Sequence, residues 1–137
     1  MYPVIQSFLA GFPVLMLHAS VTAAMLVVAI FVYIKITPYD EIKLIRGGNT
    51  AAAVSLSGAI VGLALPLAFS MASSISVWEV LIWGPVTLVL QLFAFRVTDL
   101  VLKDLPKRIV NDEMGPAILL VSIKLGAAAI NSAAVTG

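Results

Sequence analysis

Four long apolar stretches, separated by short polar segments, dominate the hydropathy pattern of this chain. They cover approximately residues 13–35, 50–72, 77–100 and 116–135. An α-helix rises ~1.5 Å per residue, so about 20 apolar residues are enough to cross the ~30 Å hydrocarbon core of a bilayer. Each stretch meets that length. The pattern therefore predicts an all-α protein, a four-span transmembrane helical bundle.

Composition supports a membrane protein and excludes several other classes. Of the 137 residues, 61% are hydrophobic and 11% are charged, which leaves too little polar surface to coat a compact soluble domain. The net charge of +1 and the lack of a basic stripe argue against a nucleic-acid partner. The chain has no cysteine, which excludes thiolate nucleophiles and Cys-based metal sites. We expect a single membrane domain over residues 1–137, with the lipid bilayer as its main partner and no cofactor.

The basic residues predict the orientation of the chain in the membrane. Seven of the eight Lys and Arg residues fall between the first and second spans or between the third and fourth. Basic residues in short connections favour the cytoplasmic side of the membrane. Both basic connections are therefore expected in the cytoplasm, and both termini and the turn at residues 73–76 are expected on the extracytoplasmic side. The seven basic residues are Lys35, Lys43, Arg46, Arg96, Lys103, Lys107 and Arg108.

Residues that commonly begin or end helices agree with these spans. Pro13 is expected just inside the start of the first span, where its missing N–H has no helical partner to lose. Asn49 is expected to cap the N-terminus of the second span, and Asp112 or Glu113 that of the fourth, because their oxygens can accept unpaired N–H groups. In the first basic connection, residues 37–48 predict a short interfacial helix that ends at a Gly-Gly pair.

The two halves of the chain have matching hydropathy, which suggests an internal duplication. Each half reads as span, basic connection, span, with repeat 1 over about residues 13–72 and repeat 2 over about residues 77–135. Two spans per unit make both copies enter the membrane in the same direction, as in parallel repeats. The sequence therefore predicts a bundle built from two parallel two-helix repeats. An offset of 64 residues aligns Asp40 with Asp104, Lys43 with Lys107 and Gly62 with Gly126.

Several motifs, taken in order, carry a resemblance to a known family over nearly the whole chain. The chain resembles the YjfL-like family of bacterial inner-membrane proteins, known as domain of unknown function 350. That resemblance implies a four-span inner-membrane protein built from a duplicated unit, with no established activity. The motifs are Lys35-Ile-Thr-Pro-Tyr-Asp-Glu, Gly48-Asn-Thr-Ala-Ala-Ala, Ser57-Gly-Ala-Ile-Val-Gly62, Pro66-Leu, Trp83-Gly, Gln91-Leu and Ile130-Asn-Ser-Ala-Ala.

A lysine deep in the fourth span is the first candidate functional residue. Lys124 lies about 16 Å along the helix from its cytoplasmic start, and a charge at that depth is costly unless it faces protein or water. We expect no acidic partner within the membrane, because Asp99 and Glu79 lie near opposite ends of the third span. Lys124 either lines an ion or substrate path or fixes helix packing as a structural lysine. The predicted polar layer consists of Lys124, Gln91, Ser55 and Ser57.

Two further groups are candidates on weaker grounds. His18 and Asn131 both lie about five residues from the extracytoplasmic side and form a predicted outer polar pair. A lone histidine there is more typical of a helix contact than of a metal or pH-sensing site, since metal sites need three or four converging ligands. Gly58, Gly62 and Gly126 are expected to let helices pack closely, within one subunit or between subunits.

These residues predict a non-enzymatic, self-associating membrane protein that conducts or moves a small solute or ion. The alternative is a membrane scaffold whose two basic connections, residues 37–48 and 103–112, dock a cytoplasmic protein partner. No nucleophile and base pair, paired carboxylates or metal cluster is visible in the sequence, so an enzyme is not expected. Four spans make a thin bundle with spare small-residue faces, which favours a homo-oligomer. A conducting role needs Lys124 to face water, whereas a scaffold does not.

Overall fold

The computed structural model describes residues 2–136 as six helices joined by short turns. Four of the helices are long and apolar enough to cross a membrane, which confirms the predicted all-α, four-span class. The order is long, short, long in each half, as a duplicated unit would require, although the duplication itself stays a prediction. The helices are α1 (Tyr2–Ile36), α2 (Glu41–Arg46), α3 (Thr50–Ser73), α4 (Val77–Val101), α5 (Asp104–Val110) and α6 (Met114–Thr136).

The first helix is longer than predicted. It begins at Tyr2, so Pro13 lies inside α1 and not at its start. The residues before Pro13 are mostly apolar, and in lipid a helix is the conformation that satisfies their backbone groups. The 35 residues of α1 extend for about 52 Å, and residues 2–17 are all exposed. The first third of α1 therefore projects beyond the packed bundle.

Helix α3 is the centre of the bundle. It packs against α1, α4 and, most extensively, α6, and half of its most apolar window is buried, against 6% for α1. One apolar core joins α1, α3 and α4 around Leu63, Leu67 and Phe95. A second core joins α3, α5 and α6 around Ile109 and Leu120. The short helices α2 and α5 thus lie at one end of the bundle, which we call the basic end.

Two of the three predicted packing glycines lie at close helix contacts. A Cβ added to Gly58 would lie 2.5 Å from a methyl carbon of Val121, and one added to Gly62 would lie 2.7 Å from the ring of Phe95. Gly126 is exposed, and an added Cβ would meet nothing within 4 Å. The prediction that Gly126 packs against another helix is therefore wrong within the subunit, because the small-residue face of α6 that meets α3 is a different one.

The end of α5 and the start of α3 are tied together by side-chain caps that run in both directions. Asn49 caps α3 as predicted, since its Oδ1 accepts from the N–H of Ala52 at 2.8 Å, and its Nδ2 donates to the carbonyls of residues 109 and 110. Asp112, with a φ of 60°, accepts from the N–H of Ala51 at 2.9 Å. Of the two residues predicted to cap the fourth span, Asp112 therefore caps α3 instead, because the turn after α5 directs its carboxylate toward α3. Glu113 immediately precedes α6, and its carboxylate pairs with Arg108. These bonds fix α5 against the bundle.

Candidate functional site

Lys124 is buried at the centre of the candidate site. Its side chain is 2% exposed, and its Nζ lies 3.0 Å from Oδ1 of Asp99, itself only 8% exposed. The Nζ also donates to the hydroxyl of Tyr33 at 3.0 Å. The expectation that no intramembrane carboxylate pairs with this lysine is therefore wrong.

The pairing follows from the direction in which a helical side chain points. Side chains lean toward the N-terminus of their helix, and α6 begins at the basic end with Met114. Lys124 starts roughly 15 Å from that end, and its ~6 Å stem carries the ammonium back toward it. Asp99 lies two residues before the end of α4, where the ammonium can reach it. A count of residues along the helices gives only the positions of the Cα atoms of Lys124 and Asp99, which lie at different depths. It does not account for the length of the lysine side chain that joins them.

Aromatic rings complete the surroundings of the ammonium. The Nζ of Lys124 lies 5.0 Å from the ring centroid of Tyr33 and 5.3 Å from that of Phe95. The two rings meet edge to face, with centroids 5.9 Å apart. A cation at these distances is attracted by the negative faces of the rings. Lys124 is therefore stabilised by a carboxylate, a hydroxyl and two rings while excluded from bulk water.

Glu41 is the functional candidate that the sequence analysis missed. It is the first residue of α2 and is fully buried. The hydroxyl of Tyr33 donates to Oε1 of Glu41 at 3.3 Å, whereas Oε2 has no hydrogen-bond partner. Burial raises the pKa of Glu41 to about 7, against the opposing effects of Lys124 and of hydrogen bonding to Tyr33. The sequence shows only that the apolar Ile45 follows Glu41 by one helical turn and shares its face of α2; the structure shows that this face packs inward.

We call Lys124, Asp99, Tyr33 and Glu41 the Lys124 cluster. The ammonium and the carboxylate of Asp99 cancel in charge, so the cluster as a whole is neutral when Glu41 is protonated and negative when it is not. The hydroxyl of Tyr33 accepts from Lys124 and donates to Glu41, which joins the two acids through one hydrogen-bonded chain. This arrangement can hold and release a proton close to neutral pH.

Of the two predicted serines, only one lies near the cluster. Ser55 is buried, and its hydroxyl lies 3.2 Å from that of Tyr39. Burial, followed by the charge of Glu41, raises the pKa of Tyr39, so this phenol stays neutral. Ser57 is exposed and donates to the carbonyl of Ala53 at 2.7 Å. Its prediction as part of the polar layer is wrong, because two residues of helix turn it to the opposite face of α3.

Gln91 and Asn131 form a second polar layer on the side of the cluster away from the basic end. The amide of Gln91 donates a long bond to the carbonyl of Lys124, at 3.4 Å. The Nδ2 of Asn131 donates to Oε1 of Gln91 at 3.1 Å and to the carbonyl of Thr87 at 3.2 Å. Polar side chains in a membrane bundle commonly bond across helices in this way. The layer therefore connects α4 to α6.

The structure does not bring the predicted outer pair together. His18 is half-buried on α1, and its carbonyl accepts from the hydroxyl of Thr22, whereas Asn131 bonds to α4. Within residues 2–136, no group of three or more His, Asp or Glu side chains is placed to hold a metal ion. His18 has no described neighbour that would make it a ligand site.

The fold and the site define the class of this chain: a multi-pass helical membrane protein with a charged cluster buried at one end. Residues 7–135 match the family model described as Domain of Unknown Function (DUF350), and the chain belongs to that family. It is 32% identical over 113 residues to the UPF0719 inner membrane protein YjfL of Escherichia coli strain K12, which covers 82% of this chain and 86% of that protein. The protein of the same name from Escherichia coli O157:H7 gives the same values.

The comparisons support a multi-pass inner-membrane location. No solved structure matches the chain. The description of the family names no activity, so any function has to be argued from the Lys124 cluster and its surroundings.

Proposed function

We propose that this protein moves protons or another small cation across the inner membrane, with Glu41 of the Lys124 cluster as the proton-exchanging group. The observation that carries the proposal is the fully buried carboxylate of Glu41, which has one unpaired oxygen and lies within a chain of groups that leads to a buried ion pair. Ionisable groups inside a membrane bundle are costly and commonly mark ion pathways. We place the basic end in the cytoplasm, in line with the positions of the basic residues.

The charges of the cluster favour cations over anions. Lys124 alone would attract an anion, but Asp99 neutralises it at 3.0 Å. Glu41 then supplies the only further charge of the cluster, and that charge is negative. The pKa of about 7 lets Glu41 bind and lose a proton under physiological conditions. A proton is therefore the cation that fits this site best.

The conformation described here is closed, because Lys124 and Glu41 are both shielded from water. Transport accordingly requires a second conformation in which the ion pair separates and water reaches Glu41. Gln91 and Asn131 extend the polar surface from Lys124 toward the far end of the bundle. Their amide groups would hydrate a path in that second state without carrying charge themselves.

We further propose that the protein acts as a homo-oligomer. Residues 2–17 of α1 are exposed throughout, and α1 is about 52 Å long, which exceeds the ~30 Å hydrocarbon core. A tilted α1 packed against α1 of a second copy would cover part of this apolar surface. Cross-linking in native membranes tests the proposal: cysteines introduced at Phe8 and Phe12, whose rings stack and are exposed, should form dimers, and a monomer under those conditions would contradict it.

Proton flux in liposomes tests the proposed function directly. Wild-type protein is reconstituted with a pH-sensitive dye inside, and a pH gradient is imposed with potassium and valinomycin to balance charge. We expect flux from the wild type, loss of flux for Glu41→Gln and unchanged flux for Ser57→Ala, which lies on the exposed face of α3. Gel filtration before reconstitution shows that each variant is folded. A wild type no faster than protein-free liposomes, or unchanged flux in Glu41→Gln, would contradict the proposal.

A scaffold function is the second candidate, because a cleft opens at the basic end. This cleft of about 570 Å³ lies between α2 and the start of α3, and Lys43, Asn49 and Asp112 are among its lining residues. Its walls combine polar and apolar side chains, which suits a segment of a cytoplasmic protein. If the cleft docks such a partner, Lys43→Glu should lower partner recovery after cross-linking in cells, and Lys35→Glu, outside the cleft, should not. Equal recovery from both variants would argue against docking in the cleft.

A further inference from the structure

A separate cavity lies beside the Lys124 cluster at the basic end. It has a volume of about 300 Å³ and lies between the last turns of α4, helix α5 and the turn that precedes α2. Arg96, Asp99 and Lys103 reach it from one stripe along α4 and its end, and Lys107 reaches it from α5. Arg96 and Asp99 are three residues apart and share one face of α4, and Lys103 follows in the turn after α4 ends at Val101.

The cavity carries a net positive charge. Among residues 2–136, the ion pairs are those of Lys124 with Asp99 and of Arg108 with Glu113. Arg96, Lys103 and Lys107 therefore face the cavity without an acidic partner of their own. Asp99 lines the inner wall, but its charge is already balanced by Lys124. Three cations gathered around one cavity repel one another, so an anion between them would be stabilised.

The chemistry of the walls indicates which anion fits. Arg96 can offer a planar fork of donors and the two lysines can offer point charges, a combination that suits a phosphate group. Apolar side chains stand beside them: Leu100 is 56% exposed and Val110 is 40% exposed. A soluble phosphate would leave these apolar walls in contact with water. A phospholipid, in contrast, joins a phosphate to acyl chains and would cover both parts.

We propose that this cavity binds the phosphate of an anionic phospholipid headgroup, with the acyl chains running along Leu100 into the bilayer. The cavity lies where α4 leaves the predicted span, which would place it at the level of the headgroups. Basic pockets between membrane helices are known to hold anionic lipids. The bound lipid would contact both α4 and α5 and cover the exposed part of the Asp99 side chain. The inference does not depend on the proposed transport function, because the anion would be held by Arg96, Lys103 and Lys107, which lie outside the Lys124 cluster.

Lipid titration of the full-length protein tests the site. Native mass spectrometry in detergent measures binding of phosphatidylglycerol and of phosphatidylcholine to the wild type, to Lys103→Gln/Lys107→Gln and to the matched control Lys43→Gln/Arg46→Gln. A juxtamembrane basic residue contributes about fivefold to binding of an anionic lipid. We therefore expect the cavity variant to bind phosphatidylglycerol roughly 25-fold more weakly and the control variant to stay within about twofold. Arg96→Gln should weaken binding about fivefold.

Two further measurements show whether each variant is folded and whether the site binds a lipid or a soluble anion. Thermal unfolding without added lipid shows whether each variant folds like the wild type, and equal melting temperatures assign a lost affinity to the cavity. An excess of inorganic phosphate is then added as a competitor. Retained phosphatidylglycerol binding supports a lipid site, whereas displacement by inorganic phosphate would identify a soluble anion instead and overturn the proposal. Equal losses in the cavity and control variants, or equal affinity for both lipids, would overturn it as well.

Discussion

Replacing Lys124 by methionine tests whether the cluster is an ionised pair. Methionine keeps most of the length of the side chain and removes its charge. Asp99 would then remain buried at 8% exposure without its partner at 3.0 Å, and Tyr33 would lose a donor at 3.0 Å. Lys124→Met should therefore destabilise the folded bundle, although the same substitution would stabilise it if the lysine were poorly paired.

The size of the effect follows from the geometry. Removing one partner of a buried ion pair costs about 3–5 kcal/mol, because the other charge is left uncompensated. The cavity beside Asp99 gives that carboxylate a small exposed edge, so the lower end, about 3 kcal/mol, is expected. Asp99→Leu should cost a similar amount by leaving Lys124 unpaired. The double variant replaces the whole pair by apolar side chains and should cost less than about 1 kcal/mol or be stabilising.

Unfolding of the purified protein by SDS in mixed micelles, followed by pulse proteolysis, gives the four free energies of the cycle. The expected outcome is strong non-additivity, with the two single changes each more damaging than both together. A result in which Lys124→Met lies within about 0.5 kcal/mol of the wild type, or in which the single effects add, would show that the two side chains do not form a coupled pair. Because Lys124→Met perturbs folding, Glu41→Gln is the better variant for flux measurements.

Three further predictions concern other parts of the molecule. Two single-cysteine variants test the orientation, one at Ile75, which is 89% exposed, and one at Arg46. In intact cells an impermeant thiol reagent should label only the cysteine at position 75, and labelling of only the cysteine at position 46 would overturn the topology. Gly58→Ala should lower the stability of the folded protein by about 1–3 kcal/mol through overpacking, because the added Cβ would lie 2.5 Å from Val121. Gly126→Ala should change it by less than about 0.5 kcal/mol, because the added Cβ has no neighbour within 4 Å. Equal melting temperatures for the two variants would refute this reasoning. The pKa of Glu41 is raised from 4.5 to about 7 in the folded protein, so Glu41 stabilises the fold fully below pH 4.5, and this stabilisation is lost as the pH rises through about 7. The expected change in the free energy of unfolding is about 3 kcal/mol. Glu41→Gln should abolish this pH dependence of unfolding.

The spans were predictable because hydropathy is a local property of the sequence. Four stretches of sufficient length define four helices whatever their packing. The start of α1 was not predictable in the same way, since Pro13 is compatible both with the beginning of a helix and with the interior of a membrane helix whose apolar flanks must stay helical. Orientation, duplication and self-association remain predictions from charge, hydropathy and composition.

The candidate site was predictable only in part. Depth alone singled out Lys124 and Gln91, because a charged or amide side chain that deep has to face protein or water. The pairing with Asp99 depends on a side-chain direction and a stem length, and the burial of Glu41 depends on how α2 folds back against Tyr33. Both are tertiary properties. A residue count along isolated helices cannot supply them.

The Lys124 cluster is absent from the corresponding place in the other half of the chain, and this difference bears on its purpose. On the predicted 64-residue offset, Lys124 corresponds to Ile60 and Glu41 to Leu105. Ile60 packs against one apolar core and Leu105, 8% exposed, lies in the other. Apolar side chains therefore fill the positions equivalent to Lys124 and Glu41, whereas Lys35 stands at the position equivalent to Asp99. Buried charges at the positions of Lys124 and Glu41 are therefore not needed to build this helix packing, which agrees with the proton exchange that we assign to Glu41.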